Sequence, residues 1–273
     1  MRIAACLEYD GSAFCGWQSQ THAPCVQIPV EAAFSAVADE PVRVVCAGRT
    51  DAGVHALCQV VHFDTRAARG GDEWRRGANA NSPASITVRH ATAVADGFHA
   101  RRSAEEREYR YVIVNRRDPV SLLRDYVTWQ PQPLDEKAMH RAAQALVGEH
   151  DFSSFRAAGC GAKTPVRCLR AVAVARADDI IFITVRANAF LQHMVRNIVG
   201  ALLAVGRGEQ REEWMTELLA RRDRRAGGVT APPHGLYLSG IKYPPGCGLR
   251  HDELWRGGAP SPLFQAMPAA ACK

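Results

Sequence analysis

An α+β fold is predicted by three features of the 273-residue sequence. Short β-branched runs of period two alternate with helical stretches that carry one apolar stripe, and the first half runs strand, helix, strand, strand, helix, strand. That order belongs to a sheet layered with helices on one face. The chain is long and apolar enough for one large or two modest cores.

Ile3 to Tyr9 reads as the first strand. The stretch Asp10 to Gln18 reads as an irregular loop with an exposed aromatic, although covering the core edge, for Phe14 and Trp17, is the commoner fate of loop aromatics. Pro29 fits the first turn of a helix reaching about Asp39, with Val30, Phe34 and Val37 on one face. Val42, Val44 and Val45 form a strand run, Val60, Val61 and Phe63 another, and the polar loop Ala47 to Ala56 lies between them. Asp72 to Asn79 reads as a short helix with Trp74 and Ala78 inward, and Ile86 to Val94 as a strand. A second half begins near Ala104, giving halves of 1–104 and 105–245 and a proline- and glycine-rich tail of 246–273 read as poorly ordered. In the second half Tyr109, Tyr111 and Ile113 share one side of a strand, and Leu134 to Val147 is a helix stopped by Gly148. Val172 to Val185 folds as a hairpin around Asp178-Asp179, and Phe190 to Val205 is a helix striped by Met194, Ile198, Leu202 and Val205.

The formal net charge is +6, carried almost wholly by arginine, with lysine only at Lys137, Lys163, Lys242 and Lys273. A basic excess favours a polyanionic partner such as RNA, although a GC-rich genome also enriches alanine, arginine and glycine. Nine cysteines at irregular spacing, with no Cys-x-x-Cys and no His-Glu-x-x-His, argue against a disulfide framework and a zinc site. No stretch reads as a signal peptide or a membrane span, so a cytoplasmic location is expected.

Chemistry is sought first in Gly48-Arg49-Thr50-Asp51-Ala52-Gly53. Two glycines around an acid let the chain turn sharply and present one carboxylate, yet an Asp so placed is more often a turn former bonded to its own backbone. Spacing alone favours the second reading.

Several motifs in order reverse that preference. Tyr9-Asp10-Gly11-Ser12 with Gly16-Trp17-Gln18, the Gly48 to Ala56 loop, Phe98-His99-Ala100-Arg101, Arg107 to Tyr111, His150-Asp151-Phe152, Phe190 to Gly200, and Thr230-Ala231-Pro232 with Gly235-Leu236-Tyr237-Leu238 resemble the bacterial TruA-type tRNA pseudouridine synthases, from about Arg2 to Tyr243. The resemblance implies the pseudouridine synthase fold: two α/β halves with a joined, mainly antiparallel central sheet, flanking helices and a positive cleft between the halves. It implies isomerisation of uridine to pseudouridine at tRNA positions 38 to 40 of the anticodon stem-loop, by a homodimer that uses no metal or organic cofactor and no membrane.

It also implies the site. Asp51 matches the catalytic carboxylate, and attack at the base, attack at the ribose and proton abstraction all stay open. Tyr109 matches the tyrosine that receives a flipped uracil, while its alternation with Tyr111 also fits sheet packing. Arg196 matches the arginine that pairs with the carboxylate, where it favours the ionised form. Leu236 matches an apolar residue of the uracil pocket. Arg49, Arg101, Arg156 and Lys163 are candidates for phosphate contacts. His55, His150 and His193 read as structural. Ser82, Arg102 and Gln192 depart from the family pattern and touch none of Asp51, Tyr109 or Arg196. A pseudouridine synthase for another RNA and a non-catalytic RNA-binding protein on the same scaffold are the competing readings.

Overall fold

In chain order the protein forms β1 (Arg2–Tyr9), α1 (Gln27–Ala38), β2 (Val45–Cys46), β3 (His55–Asp64), α2 (Gly71–Ala80), β4 (Ile86–Val94), β5 (Glu106–Asn115), β6 (Thr128–Gln130), α3 (Glu136–Ala143), β7 (Gly148–Asp151), β8 (Val166–Ala177), β9 (Ile180–Ala187), α4 (Met194–Gly206), α5 (Trp214–Arg221) and β10 (Leu236–Lys242). The computed structural model describes residues 1–20 and 22–249. The expected tail therefore lies, from position 250 on, outside the described residues. The class is α+β, and the strands pair mainly antiparallel and are flanked by helices, as the sequence predicts.

Two compact units divide the chain. The first takes Met1–Arg107 and recovers the chain at Tyr237, and the second takes Glu108–Leu236. In the first, the strand order is β4-β1-β3-β10, with β2 on β3. The β1 strand pairs antiparallel with both β3 and β4, whereas β10 runs parallel to β3 with Tyr237 opposite His55. Phe34 of α1, Phe63 of β3 and Trp74 of α2 meet with ring centroids 4.7 to 6.2 Å apart and close the core on the helical side.

The valine run before the Asp51 loop is a correction. Only Val45 and Cys46 form a strand, because α1 side chains take the amides a ladder needs: Val42 N–H donates to Ser35 Oγ (2.9 Å) and Val44 N–H to the buried Glu31 carboxylate (3.1 Å). Helix α1 starts at Gln27, so Pro29 sits in its first turn, where a missing N–H costs nothing.

His62 of β3 is buried, and its Nδ1 accepts the Ala100 N–H at 3.1 Å, so that nitrogen carries no proton. Burial, helped by the neighbouring His99 and Arg2, pushes its pKa down to about 4. In the unfolded chain the ring titrates near 6.5. The neutral ring therefore contributes stability that is present above about pH 6.5 and is lost as the pH falls toward 4. Urea unfolding is expected to show on the order of 2 kcal/mol lost between about pH 7 and about pH 5, with the slope flattened in His62→Gln.

In the second unit the order is β5-β9-β8-β7, with β6 parallel on β5. The predicted hairpin is β8-β9: Ala177 pairs with Ile180, and Asp178 takes the left-handed conformation (φ 51°) that a two-residue turn demands. Strand β5 is buried on both faces from Arg107 to Val114, so its tyrosines do not mark a half-exposed strand. The helix expected over 134–147 is α3 followed by a 3-10 turn at Gln144–Leu146, and Asp135 caps it by accepting from the Lys137 and Ala138 amides. Helix α4 starts at Met194 rather than Phe190, because His193 adopts φ 60° and breaks the helical run there.

Candidate active site

The Ala47 to Val54 loop of the first unit joins β2 to β3, and its backbone is anchored almost residue by residue. Ala47 N–H donates to Val60 O (2.8 Å), and Arg107 Nη2 donates to Ala47 O (3.2 Å). Gly48 N–H donates to Gln59 Oε1 (3.3 Å), and Gln59 Nε2 donates back to Gly48 O. The Thr50 hydroxyl meets the Tyr9 hydroxyl at 2.8 Å, and Thr50 O accepts the Trp17 N–H at 3.1 Å. Gly53 N–H donates to Phe14 O (3.2 Å), and Val54 N–H to Asp51 O (3.2 Å), with Gly53 at φ 74°. Asp51 is half-buried at the turn, and Arg49 is exposed beside it.

The Asp10 to Gln18 loop packs against this turn. A side chain on Gly11 would meet Val54 O at 2.1 Å, and one on Gly16 (φ 96°) would meet Thr50 O at 2.9 Å, so both approaches need glycine. Trp17 takes the commoner fate of a loop aromatic: it is fully buried against Tyr9, with ring centroids 6.0 Å apart. His55 is buried and stacked on Tyr237 (4.9 Å). Its Nδ1 lies 3.0 Å from the Gly11 N–H and 3.2 Å from an Asp10 carboxylate oxygen. An unprotonated Nδ1 accepts from the amide, and an Nδ1 that carries a proton donates to the carboxylate. Arg101 is exposed, and its carbonyl accepts from the same Arg107 Nη2 that holds Ala47.

The second unit holds the remaining candidates. Tyr109 is buried edge-to-face on Phe190, 5.0 Å between centroids. Tyr111 donates its hydroxyl proton to Pro232 O (2.8 Å) and lies 2.6 Å from the Thr128 hydroxyl, and burial raises its phenol far above the usual range. Arg196, near the start of α4, donates Nε to Ala231 O (2.7 Å), while its own carbonyl accepts the Ala231 N–H (3.1 Å). That segment leads to buried Leu236 through Gly235, whose carbonyl accepts the Val112 N–H and whose missing side chain would meet Val112 O at 2.7 Å. Arg156 donates Nη2 to Cys160 O (2.6 Å) and Ala162 O (2.8 Å), so its guanidinium shapes its own loop; Lys163 is exposed on that loop.

Asp51, Arg49 and Arg101 thus stand in one unit, and Tyr109, Arg196, Leu236, Arg156 and Lys163 in the other. Within the second unit Arg196 is tied to the segment entering Leu236, and Tyr109 to the segment entering α4. Sequence reasoning missed Tyr9, Thr50, Gln59 and Arg107 as supports of the loop. The available signal was a polar side chain inside an apolar strand run, as at Gln59 between Cys58 and Val60. Among the described residues no group of three or more His, Cys, Asp or Glu could hold a metal ion, the cysteines are free, and no helix is long and apolar enough to cross a membrane.

The strand pairing and flanking helices define a mainly antiparallel α+β protein in which the loop carrying Asp51 is anchored along its backbone. The family model described as tRNA pseudouridine synthase matches residues 5–101 and 142–244. The chain is 53% identical over 244 residues to the tRNA pseudouridine synthase A of Coxiella burnetii (strain Dugway 5J108-111), covering 89% of this chain and 94% of that one. It is 52% identical over 244 residues to the protein of that name in Shewanella denitrificans, with the same coverage. The same-named protein of Xanthomonas euvesicatoria is 53% identical over 246 residues, 89% of this chain and 96% of its own. The chain belongs to the tRNA pseudouridine synthase family.

Proposed function

We infer that the protein is an isomerase that converts uridine to pseudouridine in tRNA, at positions 38 to 40 of the anticodon stem-loop, with Asp51 as the catalytic carboxylate. The observation that carries this reading is the family match together with a loop whose backbone anchors hold Asp51 at a tight turn. The reaction cleaves the N-glycosidic bond, turns the base and rejoins it through carbon, so no electrons are lost or gained. What it requires is a carboxylate that adds to base or sugar, or removes a ribose proton, at a nucleotide drawn out of its stack.

The first half supplies the acid loop and the second half completes the site. Tyr109 receives the extruded uracil, and Leu236 gives it an apolar wall. Arg196 favours the ionised form of Asp51 and orients it. Arg49, Arg101, Arg156 and Lys163 contact phosphates, which position RNA without reading its sequence. The enzyme works in the cytoplasm as a homodimer.

The test is a pseudouridine map of total RNA from a strain lacking the protein. Loss at tRNA positions 38 to 40, restored by the wild-type chain, is the expected result. Unchanged anticodon arms overturn the site assignment, and losses confined to another RNA overturn the substrate.

A further inference from the structure

We propose that Gln59 is a positioning residue for the reaction, its side-chain amide bonding the Gly48 main chain and so fixing where the Asp51 loop leaves the sheet. The proposal rests on the reading of Asp51 as the catalytic acid.

The register of the strands makes the case. Strands β2 and β3 pair Val45 with His62 and Cys46 with Val61, and the next ladder bond, Ala47 N–H to Val60 O, is made at 2.8 Å. Continuing that register sets Gly48 opposite residue 59. Bonded and non-bonded pairs alternate in an antiparallel ladder, so after the 47/60 bond this position has no main-chain partner on β3, and a side chain meets it instead: Gly48 donates its N–H to Gln59 Oε1, and Gln59 Nε2 donates to Gly48 O. A primary amide presents donor and acceptor side by side, the same pair that an extended residue presents along one edge. The amide thus bonds both polar groups of Gly48 at a step where the ladder itself makes no bond.

The consequence is spatial. The loop leaves the sheet at Gly48 and is fastened again two residues on, where Thr50 meets Tyr9. Gln59 Nε2 also lies 3.5 Å from the Tyr9 hydroxyl, so both fastenings share one buried network of Gly48, Gln59, Tyr9 and Thr50. Asp51 follows directly. Gln59 is fully buried, so its part is to set where the carboxylate stands and not to meet the RNA. Without the amide, both polar groups of Gly48 lose their partner and the turn relaxes.

Gln59→Met keeps the length and removes the amide. Gln59→Glu keeps the acceptor and regains the donor only when the carboxyl is protonated. Single-turnover conversion of tRNA, tRNA dissociation constant and thermal midpoint are measured for both, with Asp51→Ala as control. A displaced catalytic group costs on the order of 10- to 100-fold in rate, and that loss is expected for folded Gln59→Met with tRNA affinity within about twofold of wild type. The rate of Gln59→Glu relative to wild type is expected to climb as the pH falls from about 8 to about 5.5, whereas the Gln59→Met ratio stays flat. The pH profile of Gln59→Glu decides the matter where Gln59→Met does not fold.

A folded Gln59→Met chain with wild-type rate, a deficit seen only in tRNA affinity, or a flat profile for Gln59→Glu overturns the proposal. An inert Asp51→Ala beside a fully active Gln59→Met removes this inference alone. An active Asp51→Ala removes the reading beneath it.

Discussion

Asp51→Ala is expected to bind tRNA and make no pseudouridine. The loop is fixed at Ala47, Gly48, Thr50 and Gly53 by partners on β1, β3 and the Asp10 to Gln18 loop, and Val54 N–H is held by the Asp51 carbonyl within the turn. Those anchors do not depend on which side chain stands at position 51, so the variant keeps the fold of the loop. The loss is then chemical. Without a carboxylate there is no group to add to the nucleotide or take its proton, and removing such a residue lowers single-turnover rates by at least about 10⁴-fold. On the reading proposed above, binding is spread over phosphate contacts elsewhere and should change by less than about threefold. Asp51→Asn, which keeps shape but cannot ionise, is expected to be equally inert. Measurable pseudouridine from either variant would sink the assignment of Asp51.

The helix stripes and the strand alternation were legible because their signal is local. Met194, Ile198 and Leu202 recur at helical spacing and are buried on α4, and Asp178-Asp179 between two β-branched runs is the β8-β9 turn. Element starts were less so, since they turn on single residues: His193 in the left-handed region delays α4, and Ser35 and Glu31 take the amides of Val42 and Val44 away from a strand. The choice between exposure and core-edge cover stayed open for Trp17 because nothing within the loop shows that Tyr9 and the Asp51 turn cover it. The candidate residues themselves emerged only as an ordered set of motifs. Their supports did not, because Gln59 and Gly48 meet through a strand register, and Arg107 reaches Ala47 sixty residues back. A glycine needed for close approach looks, in sequence, like any other glycine.

Gly200 is such a case, and its substitution carries the largest stability effect expected in the second unit. It lies inside α4, where a Cβ would stand 1.8 Å from Val229 O and 3.4 Å from Ala231 N. Both are main-chain atoms, and they cannot swing aside as a side-chain tip would. The segment they belong to is fastened to α4 one turn before Gly200: Ala231 N–H to Arg196 O, Thr230 Oγ1 to Asn197 Oδ1 (2.6 Å), and Arg224 to both Thr230 (2.9 Å) and Asn197 (3.0 Å). Asn197 in turn donates Nδ2 to Phe155 O (2.8 Å), so the helix cannot retreat without breaking a second set of bonds. A helix interior normally gains from glycine to alanine by about 1 kcal/mol. Here the added methyl must displace Val229 from α4, and overpacking of this kind costs about 3 kcal/mol or more. Gly200→Ala is therefore expected to lower the urea-unfolding free energy by about 2 kcal/mol or more net, the reverse of the helix-propensity expectation. The displaced segment also carries the Ala231 carbonyl that holds Arg196 Nε, so the guanidinium should lose its present aim. A variant as stable as wild type, measured by urea unfolding, would mean that the 228–231 segment yields freely, and that Arg196 is not held by it.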